Sequence, residues 1–235
     1  MNVGKSEFEV VDLSQPLEEG IPIAAGLSRF FKSLWSSLHY GDIATAHQLV
    51  MNEHTATHVD APAHFLPPGH PHHRWVDEVP LEQWMGRACL VRCDGVEPRS
   101  AVTADLVLAW ESQHGRIERG DIAVFEFGWW RKWAVRPDDV GFMTDWPGLG
   151  LDCVQLLVER GVKAVGVDTL SPDVFGDAPH PVHKALLGEG VVIVENLANL
   201  DRVPPRFHLM ALPLKVKGGS GAPCRATALV PPSTE

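Results

Sequence analysis

Runs of β-branched and apolar residues bounded by Gly, Pro and Asp predict strands at roughly 7–13, 87–96, 121–127, 162–168, 191–196 and 207–217. Helical stretches fall between several of them. TADLVLAWESQ opens with Thr103 as an N-cap, and LDCVQLLVERG closes on Gly161 as the residue just past the helix end. Strands alternating with helices argue for an α/β architecture, and the early hairpin-like strands favour a mixed sheet over a purely parallel one. No repeat, low-complexity tract or long linker divides the chain, so residues 1–235 read as one domain. The stretch AAGLSRFFKSLWSSLHYGD, residues 24–42, places Phe31, Trp35 and Leu38 at helical spacing, with Phe30 and Tyr40 beside them. Such a stripe predicts a helix packed on the core. Its place just before a histidine-rich run also makes Phe30, Phe31 and Trp35 candidates for a lid or substrate wall.

Composition narrows the partners. The 235 residues carry 30 acidic against 20 basic side chains, a net charge of −10 that repels nucleic-acid phosphates and anionic membrane surfaces alike. The N-terminal MNVGKSEFEVVDLSQPL has no apolar segment behind a basic start, and nowhere do eighteen apolar residues run together. A cytoplasmic protein is the expectation. The four cysteines form no CxxC pair and suit core filling better than a disulfide framework. Histidine is in local surplus, with six of the twelve between His54 and His73.

The centre of that surplus is HTATHVDAPAH, residues 54–64. A packed core has little use for three imidazoles and a carboxylate so close together, because each buried polar group must find a partner. On a continuous helix His54 and His58 share a face, but Asp60 falls about 200° further round. On a continuous strand His54 and His58 stand about 13 Å apart. A bend between Thr55 and Thr57 removes both difficulties, leaving His58 and Asp60 on one side of a short extended piece, with Pro62 favouring extended geometry at Ala61. Imidazole plus carboxylate suits zinc, manganese or iron and is too rich in nitrogen for calcium.

HTATHVDAPAH resembles the HxGTHxDxPxH signature of the cyclase family of metal-dependent hydrolases, which includes bacterial kynurenine formamidases, isatin hydrolases and certain lactone hydrolases. VVDLSQPLEEGIPI resembles the family's N-terminal strand and turn, VGVDTLSPD its strand-end segment, HPVHKALLGEGVVIVENLANL its later helix and strand, and ALPLKVKGGSGAPCRATAL its C-terminal strand pair. The resemblance covers nearly the whole chain. It implies a mixed β-sheet core of the swivelling β/β/α kind, curled toward a barrel and flanked by helices, and a homodimer or homotetramer. It also implies that His54, His58 and Asp60 hold a first divalent ion, zinc or manganese. In the two-metal members Asp60 bridges to a second ion held by His183 and Glu195, and His64 stands in the place of the proton-transferring histidine.

Independent of the resemblance, Glu195 sits inside the apolar run VVIVENL, where a carboxylate is costly unless paired or coordinated. Two departures stand out. Ala56 replaces the signature's glycine, which is tolerable if its φ is negative. Lys184 follows His183 where formamidases often carry adjacent histidines, which points away from formylkynurenine. His70, His72 and His73, in the Pro-rich PGHPHHRW, read as exposed. KGGSG lacks the last glycine of a nucleophile elbow, and no helix pattern follows it. Asp168 reads either as a partner orienting a metal-binding histidine or as a strand-end turn cap. The expected activity is hydrolysis of an amide, lactam or formamide bond in a small aromatic molecule by metal-activated water. The rivals are a lactone hydrolase and a non-enzymatic metal- or ligand-binding protein on the same scaffold.

Overall fold

A computed structural model describes residues 8–232. Its strands are β1 (Glu9–Asp12), β2 (Phe31–Ser36), β3 (Ala46–Val50), β4 (His58–Asp60), β5 (Met85–Arg92), β6 (Ala101–Val102), β7 (Ile122–Glu126), β8 (Gly148–Leu149), β9 (Ala164–Val167), β10 (Val192–Glu195), β11 (Arg206–Met210), β12 (Gly221–Pro223) and β13 (Thr227–Val230). The helices are α1 (Ala104–His114), α2 (Val140–Met143), α3 (Leu151–Arg160) and α4 (Pro181–Gly188). The first residue of the strand expected at 7–13 lies outside the described residues. No helix among them is long and apolar enough to cross a membrane.

Nine strands form one curled, mixed sheet in the order β1-β13-β11-β5-β7-β9-β10-β4-β12. The middle block β5-β7-β9-β10 is parallel, and both flanks are antiparallel. Parallel strands are covered on both faces, which is why IAVFE, AVGV and VIVE are near-continuous apolar runs. Alternation divides their side chains between two cores. Ala88, Leu90, Val124 and Val194 face the inside of the curl with Trp84 and Leu209, whereas Cys89, Val91, Phe125 and Ile193 pack under Val107, Leu157 and Leu186 of α1, α3 and α4.

The helix ends follow the sequence with one substitution of partner. Gly161 takes φ +75° and its N–H reaches the Leu157 and Val158 carbonyls. Thr103 occupies the N-cap of α1, but its side chain makes no capping bond, and the Ala104 N–H donates to Asp152 Oδ2 at 2.9 Å instead. All four cysteines are free.

The aromatic stretch corrects the sequence reading. Residues 24–42 form no α-helix: Phe31–Ser36 is strand β2, paired only with β3 in a two-stranded arm, and Leu38–Tyr40 is a single 3-10 turn. Phe30 alone enters a core, a small one with Ile21 and Ala56. Phe31 and Trp35 are exposed. The spacing of four fits a helical period to within a residue but also a strand period of two, and in β2 the register with β3 shifts between Leu34 and Ser36, at Trp35.

Candidate metal centre

Strand pairing brings the distant parts of the chain together. β4 lies between β10 and β12, with His58 opposite Glu195 and Asp60 opposite Ile193. Within β4 the period of two turns His58 and Asp60 to the same face and sends Val59 into the core. The expected bend falls at Ala56, but its φ is +53°, not negative. A left-handed alanine costs about 1–2 kcal/mol. Three bonds hold it: Asn196 Nδ2–H donates to the Ala56 carbonyl at 2.7 Å, Thr57 Oγ1–H to the Asn196 carbonyl at 2.7 Å, and His58 Nδ1–H to the Ala56 carbonyl at 2.8 Å.

That last bond fixes the His58 tautomer, because a carbonyl can only accept, and leaves Nε2 facing inward. There it lies 3.4 Å from Asp60 Oδ1 and 3.2 Å from Glu195 Oε2. His54 Nδ1 lies 2.7 Å from Asp60 Oδ1. On the other side His183 Nε2 lies 3.4 Å from Asp60 Oδ2 and 3.1 Å from Glu195 Oε1. Glu195 therefore stands between two imidazoles, one oxygen toward each, and Asp60 among three, with Oδ1 toward His54 and His58 and Oδ2 toward His183. His58 Nε2, Asp60 Oδ2 and Glu195 Oε1 are buried without a hydrogen-bond partner. Buried polar atoms are seldom left so, and a nitrogen-and-carboxylate donor set with three inward orphans fits a divalent transition metal. One ligand atom each from His54, His58 and Asp60 falls within 4.8 Å of the others.

Charge in the cluster follows from this packing. Burial alone would lower the His58 imidazole, but the carboxylates of Asp60 and Glu195 outweigh it and raise it to about 10. The same competition, with Asp173 added, holds His183 well above the usual histidine range. Burial would raise Asp60, yet His183, His54 and His58 keep its carboxyl well below the usual carboxylate value. His64, partly exposed, is pushed down to about 4 by burial. Its ring stacks on His54 at 4.0 Å.

Four residues of this neighbourhood lie outside the expected site set, Ser220 among them although its KGGSG segment drew notice for another chemistry. Asp173 accepts the Val182 N–H at 2.6 Å, capping the first turn of α4, and its Oδ2 lies 2.5 Å from His183 Nδ1. It thereby orients the ring, so Asp173, and not Asp168, is the carboxylate behind a candidate ligand. Asp168 caps a turn, accepting the N–H groups of Phe127 and Trp129 at 2.9 and 2.8 Å. Phe65 packs on His183 and His64 with both centroids at 4.7 Å. Ser220, in the KGGSG segment, places Oγ 3.0 Å from His54 Nε2 while donating to Glu53 Oε1 at 2.6 Å. Asn196 secures the bend. Among the described residues no metal-type group includes His70, His72 or His73. Phe30 lies beneath Ala56, and Phe31 and Trp35 stand on the arm.

Asp173→Asn should keep α4 capped, because an amide oxygen can still accept the Val182 N–H, while removing the charge behind His183. Zinc affinity measured by calorimetry is expected to fall about 10–100-fold. An unchanged affinity would show that His183 needs no such support.

Comparison with known proteins identifies the family. The family model described as "Putative cyclase" matches residues 11–174. The chain belongs to the cyclase family. A kynurenine formamidase of Erythrobacter litoralis is 33% identical over 230 residues, 96% of each chain. An isatin hydrolase of Roseibium aggregatum is 30% identical over 197 residues, 78% of this chain and 74% of its own. The solved structure of isatin hydrolase A from Labrenzia aggregata bound to benzyl benzoate superposes with a TM-score of 0.89 at 29% identity, covering 98% of this chain and 96% of that one. The cyclase-family fold is thus the one the motif implies.

Proposed function

We propose that this cyclase-family protein is a metal-dependent hydrolase that cleaves the C–N bond of an amide, lactam or formamide in a small aromatic molecule. The observation that carries the reading is the convergence of His54, His58, Asp60, His183 and Glu195, from β4, its preceding bend, α4 and β10, around three unpartnered buried polar atoms. Zinc or manganese suits the donors, and the placement of Asp60 between His54 and His183 favours two ions. When bound, the metal would supply Lewis acidity that polarises the scissile carbonyl and acidifies water. The protein's own part is proton transfer and orientation. His64, neutral above about pH 4, accepts a proton at a ring nitrogen beside the cluster and returns it to the leaving nitrogen. Phe65 offers a ring face at the same mouth. Phe31 and Trp35 would join a substrate wall only from a second copy, in a homodimer or homotetramer in the cytoplasm. The names of the relatives, formamidase and isatin hydrolase, support nitrogen as the leaving atom over the oxygen of a lactone, and Lys184 after His183 points away from formylkynurenine.

A second reading has one observation in its favour. Ser220 Oγ, His54 and Asp60 line up at 3.0 and 2.7 Å in the order of a serine-hydrolase triad. Against it, the Ser220 hydroxyl is engaged by Glu53 and three inward polar atoms are left without a purpose.

Metal binding separates the two. Without metal His58 holds a proton below about pH 10, and an incoming ion must displace it. Zinc uptake at pH 7 should therefore release protons, read by calorimetry in two buffers of different ionisation heat, and affinity should weaken as pH falls. Chelation should abolish hydrolysis of isatin and formanilide, and zinc or manganese should restore it. Full activity of the chelated protein, lost in Ser220→Ala, would replace the metal reading with the serine one, and turnover of lactones alone would move the leaving atom to oxygen.

A further inference from the structure

The metal centre accounts for three of the buried polar atoms without a hydrogen-bond partner, His58 Nε2, Asp60 Oδ2 and Glu195 Oε1. Two further ones, Gln15 Nε2 and Trp133 Nε1, belong to side chains that line one hollow. Both are N–H donors, and buried donors are seldom left unpaired.

The hollow has a volume of about 470 Å³, within the range of small-molecule pockets. Its walls come from the turn after β1 (residues 14–16), the aromatic segment 130–135, and Ala198 and Asn199 after β10. None of the five candidate metal ligands lines it. A neighbouring groove shares residues 14–16 but is not lined by Trp133, so only the hollow takes in both donors. The two donors sit on fixed supports. The Gln15 backbone N–H donates to Thr57 Oγ1 at 2.8 Å and the Ser14 hydroxyl to the Ala226 carbonyl at 3.1 Å, which pins the turn that carries the Gln15 amide. Trp133 packs edge-on against Phe142 with centroids 4.9 Å apart, and its backbone N–H donates to the Trp130 carbonyl at 3.1 Å.

Charge in the wall narrows the ligand. Its cation, Arg131, is already engaged: the guanidinium lies 4.4 Å from the centre of the Trp130 ring, and 3.6 and 3.2 Å from the carboxylates of Glu126 and Asp201. Glu18 lines the same hollow, and the chain as a whole carries −10. An anion would enter against this field without a counter-charge of its own, whereas a neutral oxygen meets two neutral donors and needs none. We propose that the hollow is a second binding site, separate from the metal centre, for a flat, neutral aromatic molecule whose carbonyl oxygen accepts from Gln15 Nε2 and Trp133 Nε1. The indoles of Trp130 and Trp133 supply the apolar wall for its ring. The Thr57 hydroxyl that accepts from Gln15 donates to the Asn196 carbonyl, so the site adjoins the Ala56 bend without using a residue of the centre.

Acetophenone tests the site, because it is a flat aryl ketone with one acceptor and no bond for a hydrolase to cleave, and the outcome is therefore independent of the proposed activity. The full chain has eight tryptophans, and isotope labelling of their indole nitrogens reports each N–H by NMR. Titration should move one indole resonance downfield and saturate, as a newly accepted hydrogen bond requires, with a dissociation constant on the order of a millimolar for so small a ligand. That resonance should be the one missing from Trp133→Phe. Trp133→Phe keeps a ring against Phe142 and Gln15→Met keeps the side-chain length, so both should fold, which circular dichroism verifies. Each should weaken binding about three- to tenfold, read from the ligand's own NMR signals. Toluene, which lacks the acceptor, and benzoate, which adds a charge, should each bind about tenfold more weakly than the ketone. A Trp133 resonance that stays in place at about ten times the millimolar range, an affinity that either substitution leaves unchanged, or toluene or benzoate binding as tightly as the ketone would each overturn the proposal.

Discussion

Asp60→Asn is expected to empty the centre of metal and to abolish turnover. The carboxylate is 1% exposed, faces His54 and His58 with one oxygen and His183 with the other, and is kept ionised by those three imidazoles. An amide of the same shape removes the charge and turns an NH₂ group toward a ring nitrogen. The loss should be on the order of 10³-fold or more in activity, the several kcal/mol that a metal contributes to transition-state charge. Stability should fall too. His58 and His183 would lose one of the carboxylates that raise them against burial, and breaking one partner of a buried ionic cluster costs about 3–5 kcal/mol. That part is present only below the pH at which the histidines discharge, since their folded pKa values are raised: the melting deficit of the metal-free variant should be full near pH 6 and shrink as pH rises toward about 10. Elemental analysis beside melting curves decides it, and a variant with stoichiometric metal would remove Asp60 from the centre.

His64→Ala should give the opposite pattern: metal and substrate affinity kept, kcat reduced about 10²–10⁴-fold. The ring stacks on His54 and makes no close contact with either carboxylate, which suits a proton carrier better than a ligand. Because burial lowers His64 to about 4, kcat/KM should hold level from neutrality down to about pH 5 and fall only as the imidazole takes up a proton. The rival outcome is concrete. Asp60, His64 and His183 also bring ligand atoms within 4.8 Å of one another. A His64→Ala protein that has lost its metal would make His64 a ligand and leave the proton transfer to another group.

What could be read in the sequence was whatever a local period or a local motif encodes. The apolar runs at β5, β7, β9 and β10 announce strands buried on both faces, and Gly161 announces the end of α3. Glu195 announced itself by its cost in an apolar run. Asp173 could not, because its value lies in reaching His183 across a loop and a helix start, a distance that no spacing rule measures. Ser220 and Phe65 are site neighbours for the same non-local reason. At Ala56 the reading that alanine requires a negative φ follows intrinsic preference, and the bonds from Asn196 and His58 override it. The arm misled for a further reason. The spacing of Phe31, Trp35 and Leu38 describes which side chains share a side, and says nothing of what, if anything, covers them.

Strand β12 sits at the rim of the large sheet, where folds ordinarily accept substitutions with little complaint. Here the rim is as unforgiving as the interior. A methyl group at Gly221 would come within 2.5 Å of the Val59 carbonyl and 2.6 Å of the His54 ring, so any side chain there must lift the imidazole or part the strands. Two residues on, Pro223 has no N–H to offer, and its carbonyl already accepts the Leu214 N–H at 3.2 Å, beside the bridge between Pro213 and Cys224. A strand of three residues thus holds the seat of one imidazole at one end and a closed edge at the other, so genetic drift at Gly221 and Pro223 is constrained by both at once.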